Sequence, residues 1–153
     1  MSGPRVLVIT AMRDEGPHLL EWLAHHRAAG VQDFLVVSNE CTDGTDTLLD
    51  LLEAAGIVTH LRNEIPEGRT PQWAALRLAA AHPLTRAADW IAMLDCDEFI
   101  NLRAPLRSVQ DLIAAAGDAD AIALSWRLFG HSGHVRRPDA PTTEAYHRAI
   151  PPD

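Results

Sequence analysis

Trp90-Ile91-Ala92-Met93-Leu94-Asp95-Cys96-Asp97-Glu98-Phe99 constrains this chain more than any other stretch. An unbroken apolar run leads straight into the carboxylates of Asp95, Asp97 and Glu98, and the chain then turns apolar again. Such a run reads as a strand buried on both faces, as in a parallel sheet. Carboxylates at its carboxyl end would lie in the crevice where open α/β sheets bind ligands. Charges of one sign this close repel, and desolvating them is costly unless something positive compensates. A divalent metal is the usual compensation, and oxygen ligands select a hard ion such as magnesium or manganese. The competing reading is a strand end followed by a solvated acidic turn.

The rest of the chain repeats the theme. Arg5 to Thr10 is the first apolar strand, followed by the polar loop Met12 to Pro17. Pro17 suits the first turn of a helix, Leu19, Trp22, Leu23 and His26 recur at helical spacing, and Gly30 supplies the stop. Phe34 to Val37 is the second strand, and Ser38 to Thr45 is a loop of turn formers. Leu48, Leu51, Leu52 and Ala55 mark the next helix, and Ile57 to Leu61 a short third strand. Pro71 opens a helix to about Ala81, which His82-Pro83 ends. The acidic strand comes fourth. Ser108 N-caps a helix carrying Val109, Leu112, Ile113 and Ala116, and Ala121 to Trp126 is expected as a fifth strand. Strands alternating with helices predict a parallel α/β sheet with right-handed crossovers. The loops after the first, second and fourth strands then share one edge. They bring Asp14 and Glu15, Asn39 and Glu40, and Asp95, Asp97 and Glu98 to one side.

Composition and missing motifs exclude much. A net charge of −8 disfavours nucleic-acid and anionic-membrane partners. All basic residues are arginine, which rules out Schiff-base and P-loop lysines. Cys41 and Cys96 make neither a disulfide framework nor a zinc site. No stretch reaches about 18 apolar residues, and the start lacks the regions of a signal peptide, so a cytoplasmic protein is expected. There is no G-x-x-x-x-G-K-[ST], no G-x-G-x-x-G after the first strand and no G-x-S-x-G. A diphosphate could still bind beside a metal that screens its charge.

Several motifs then fall in order: Arg13-Asp14-Glu15-Gly16-Pro17, Leu20-Glu21-Trp22, Ser38 to Thr45, Gln72 to Leu76, Asp95 to Phe99, and Trp126 to His134. Together they resemble the family 2 glycosyltransferases, in the branch with D-x-D-E-F and W-x-x-F-G-x-x-G motifs. The similarity runs from about Arg5 to the high 140s.

The resemblance implies an A-type, Rossmann-like nucleotide-diphospho-sugar-binding fold in one domain over residues 1–153, with the core at about 5–127 and a partial acceptor-side segment at 128–153. It implies a Mn2+ or Mg2+ cofactor and sugar transfer from a nucleotide-diphospho-sugar donor to a glycan, lipid or protein acceptor. Carried over, Asp95, Asp97 and Glu98 are the catalytic acidic group. Asp97 is the direct metal ligand, Asp95 holds the ribose or shares the metal, and Glu98 orients its neighbours. Thr10, Ala11 and Glu15 line the nucleotide pocket, and Asn39 stands where many members place a base-binding aspartate. Arg69 and Gln72 approach the diphosphate or sugar, and His134 is a metal or acceptor contact. Against these stand duller readings: Asp14 or Glu15 at a helix N-terminus, Asp43 serving its turn, His25 and His26 packed or solvated, and Trp22, Trp73 and Trp90 in the core. Family members carry the catalytic base toward the carboxyl end, where Asp139 and Glu144 are the nearby candidates, so the acceptor side is expected to be abbreviated. A non-catalytic nucleotide-sugar-binding domain and a metal-dependent phosphohydrolase remain as alternatives.

Overall fold

The computed structural model describes residues 3–151. They divide between Ala115 and Ala116 into two compact units. The first holds a four-stranded sheet of β1 (Val6–Met12), β2 (Asp33–Ser38), β3 (Thr59–Arg62) and β4 (Trp90–Met93) in the order β3-β2-β1-β4. Every pairing is parallel, with Ile9 level with Leu35 on one side and Met93 on the other.

The central strands β1 and β2 are buried almost throughout because helices cover both faces. Side chains alternate across a strand. Val6, Val8, Phe34 and Val36 therefore join Trp22 and Leu23 of α1 (Gly16–Ala28), Leu49 and Leu52 of α2 (Thr45–Ala54), and Val109 of α5 (Val109–Ala116). Leu7, Ile9, Leu35 and Val37 face the other way, onto Ala75 and Ala79 of α3 (Pro71–Ala81). Fully burying side chains such as Leu7, Leu35 or Phe34 contributes about 1.5–3 kcal/mol each.

Three features depart from the sequence expectation. β4, expected as a strand buried on both faces, lies at the edge of the sheet, and its Ile91 and Met93 are 45% and 47% exposed. Pro83 was expected only to end a helix, yet it also starts α4 (Pro83–Ala87), where His82 Nδ1 accepts from Leu84 N–H at 3.2 Å. The expected fifth strand, Ala121 to Trp126, is not a strand. An apolar pattern makes a strand only when a neighbour takes up its N–H and C=O groups. Here Leu124 and Trp126 are 48% and 79% exposed.

In the second unit a bridge joins Phe129 and Ala149 in antiparallel fashion, and α6 (Thr142–Ala145) forms one short turn of helix. Gly130 N–H donates to Arg148 O and Ile150 N–H to Leu128 O, at 2.9 and 3.0 Å.

Candidate active site

The chain moves from β1 to β2 to β3 in one direction and then crosses back to lay β4 on the far side of β1. That reversal makes the carboxyl ends of β1 and β4 the topological switch point, the place where open α/β sheets bind ligands. The loops there are Arg13 to Glu15 and Leu94 to Glu98. Continuing the register of Ile9 with Met93 sets Ala11 level with Asp95.

The acidic loop is a closed turn. Glu98 N–H donates to Asp95 O, and Asp95 N–H donates back to the Glu98 carboxylate, each at 3.0 Å. The Glu98 carboxylate is thereby tied to the backbone of Asp95. Cys96 points into the core and is 4% exposed, while Asp95 and Asp97 on either side are exposed. Burial pushes the Cys96 thiol up to about 12, and the negative charges of Glu15, Asp97 and Asp95 add to the shift. The thiol is therefore inert. That common influence also brings Glu15, from the loop after β1, into the field of the two aspartates. Nearby on β1 the Thr10 hydroxyl is buried without a hydrogen-bond partner.

The loops after β1 and β2 are tied together. Asp14, at φ 57°, accepts from Thr42 N–H at 2.6 Å and Asp43 N–H at 3.2 Å. Asp43 accepts from both the N–H and the hydroxyl of Thr45, and that hydroxyl oxygen accepts from Gly16 N–H at 2.8 Å. The Thr45 bonds hold the Asp43 carboxyl below its usual range, which is the turn role expected of it.

Asn39 is buried, and its amide is held at both ends. Its Nδ2 faces Met12 O at 3.3 Å, and its Oδ1 accepts from Asn63 Nδ2 at 2.6 Å, while Asn63 Nδ2 also donates to Pro71 O at 2.9 Å. Carbonyls only accept, so Met12 and Pro71 fix the orientation of both amides. Asn63 had no signal in the sequence beyond a lone polar residue after a strand.

Arg69 and Gln72 are exposed at the start of α3, where Thr70 caps the helix by accepting from Trp73 N–H at 3.3 Å. Arg69 lies 4.2 Å over the Trp73 ring and Arg77 5.0 Å from it, so Trp73 is a cation platform and not a core residue. In the second unit, His134 Nε2 donates to Ala145 O at 3.2 Å, which leaves the lone pair on Nδ1.

Among the described residues no group of three or more His, Cys, Asp or Glu side chains forms a metal cage. Magnesium and manganese do not need one. Magnesium typically keeps waters and binds through one or two carboxylates plus substrate phosphates. Two exposed aspartates with a third carboxylate in their field fit that pattern.

The family model of glycosyltransferase family 92 matches residues 14–151. The chain belongs to that family. The family number thus differs from the family 2 suggested by the motifs, though both are glycosyltransferase families. Among curated relatives, a family 92 protein of Oryza sativa subsp. japonica is 23% identical over 145 residues, which is 91% of this chain and 24% of that protein. Another from Ricinus communis is 26% identical over 146 residues, 91% of this chain and 25% of its own. The chain therefore spans about a quarter of the length of these relatives.

Two solved structures share the fold. TarS of S. aureus aligns over 72% of this chain and 19% of its own, with a TM-score of 0.50 and 18% identity. The mannosyltransferase PcManGT from Pyrobaculum calidifontis, in complex with GDP-Man and Mn2+, aligns over 72% and 32%, with a TM-score of 0.51 and 23% identity. The family 92 chain has the A-type glycosyltransferase fold expected from its sequence. Among its described residues, no helix is long and apolar enough to cross a membrane.

Proposed function

We propose that this family 92 chain is the donor-binding part of a metal-dependent glycosyltransferase, acting on a nucleotide-diphospho-sugar and a glycan, lipid or protein acceptor. The observation that carries the reading is the acidic turn at the switch point, with Asp95 and Asp97 exposed on either side of a buried Cys96. The Mn2+ and GDP-Man bound to PcManGT support it by analogy of fold.

Asp97 is the direct ligand of Mn2+ or Mg2+, and Asp95 shares the ion or holds the ribose. When bound, the cation screens the diphosphate and stabilises it as a leaving group. Glu98 holds the Asp95 backbone through its carboxylate. Thr10, Ala11 and Glu15 line the nucleotide pocket, with the Thr10 hydroxyl buried and unpartnered at its base. Asn39 forms the pocket wall with its amide held by Asn63, and Arg69 and Gln72 approach the diphosphate or sugar from α3. His134, in the second unit, offers Nδ1 to the acceptor. Family membership and the position of the acidic strand, fourth in sequence, favour transfer over phosphomonoester hydrolysis.

Calorimetry with GDP-mannose and a panel of other nucleotide-sugars, with and without manganese, tests the reading. Binding should require manganese, and Asp97→Asn should abolish it while the fold remains intact by circular dichroism. Metal-independent binding, or unchanged affinity in the variant, would count against it.

A further inference from the structure

We propose that His25 and His26, adjacent residues of α1, are positioning residues for the acidic turn, holding Ile100 by both its carbonyl and its N–H. His25 Nε2 lies 2.8 Å from Ile100 O, and Ile100 N lies 3.3 Å from His26 Nε2. A carbonyl only accepts and an N–H only donates, so these partners dictate the ring protons. His25 carries its proton on Nε2. His26 leaves Nε2 bare and donates from Nδ1 to Trp22 O at 2.9 Å, a neutral ring in one tautomer with both nitrogens used.

The same helix takes hold of the turn once more, through Trp22 Nε1–H to Glu98 O at 2.9 Å. Between these bonds Phe99 stacks on His26, with centroids 6.1 Å apart and planes at 24°, and meets His25 edge-on at 5.1 Å and 84°. Residues 94–100 belong to no helix or strand, so nothing regular fixes where the turn sits relative to the end of β1. Leu94 N–H to Ile9 O holds the start of the turn, and the buried Cys96 holds its middle. The histidines of α1 hold its far end. A hydrophobic side chain could fill the same space, but it would supply no direction to the Ile100 peptide groups.

Neither histidine bonds to Asp95 or Asp97; each acts through the backbone that carries them. This rests on the donor-site reading above, and the test separates the two. In the full chain, hydrogen exchange of residues 95–100 should rise about tenfold in His25→Ala, with β1 and β2 unchanged. His25→Gln, which keeps an N–H for the Ile100 carbonyl, should restore protection. Calorimetry with manganese and GDP-mannose should show affinity falling about tenfold in His25→Ala and recovering in His25→Gln. Unchanged exchange in His25→Ala overturns the proposal. So does faster exchange with wild-type donor affinity, since the contact would then be only structural. If the wild-type chain binds no nucleotide-sugar, the donor-site reading fails, and the exchange comparison alone decides whether the clamp exists.

Discussion

Two buried groups carry the sharpest consequences at the scale of single residues. Asn39 and Asn63 form an amide pair whose every orientation is set by the carbonyls of Met12 and Pro71. An aspartate at position 39, common in the family the motifs resemble, would turn a carboxylate oxygen toward the Met12 carbonyl in place of a donor. Asn39→Asp should cost about 1–3 kcal/mol, read as a lower urea midpoint at neutral pH. His26 is the other group. It is fully buried, and burial lowers its ring to about 4 from the ordinary 6.5. Between those values the unfolded chain takes up a proton that the folded chain refuses. The stability His26 contributes is therefore complete above pH 6.5 and lost as pH falls toward 4, on the order of 3 kcal/mol in all. Urea unfolding at pH 7 and pH 4.5 should show a smaller drop for His26→Gln than for the wild type.

At the scale of elements, legibility followed burial. β1 and β2 stand out in the sequence because the runs Val6 to Ile9 and Phe34 to Val37 have no polar face to show, whereas β4 is as apolar but lies half exposed at the edge. Ser108 was readable as a cap, and its hydroxyl oxygen does accept from Asp111 N–H at 3.1 Å. α4 was hidden because the proline that ends one helix also begins the next. Ala121 to Trp126 carried a strand's pattern without the partner that a strand needs. Gly30 illustrates what a stop signal does in three dimensions. It has φ +97°, and a Cβ there would come within 2.4 Å of Gln110 Oε1, whose amide nitrogen donates to Gly30 O at 2.8 Å. Gly30→Ala should therefore loosen the join between α1 and α5, lowering stability by about 1–3 kcal/mol in thermal or urea unfolding.

At the scale of the molecule, the sheet order turns scattered acidic residues into one locus. The aspartates of the turn were legible because they follow an unbroken apolar run directly. The side chains that hold them were not. Trp22, His25 and His26 meet backbone groups 74 to 76 residues away, and nothing local to them announces such partners. The proposed function stands on a cation bound at Asp95 and Asp97, on a chain of net charge −8, to hold the diphosphate. Manganese is paramagnetic, so adding it with GDP-mannose to the isotope-labelled chain and recording amide spectra locates the ion directly. Signals of Glu15 and of Asp95 through Glu98 should broaden first, and Asp97→Asn should remove the effect. Broadening centred elsewhere, or surviving in that variant, would contradict the proposed function.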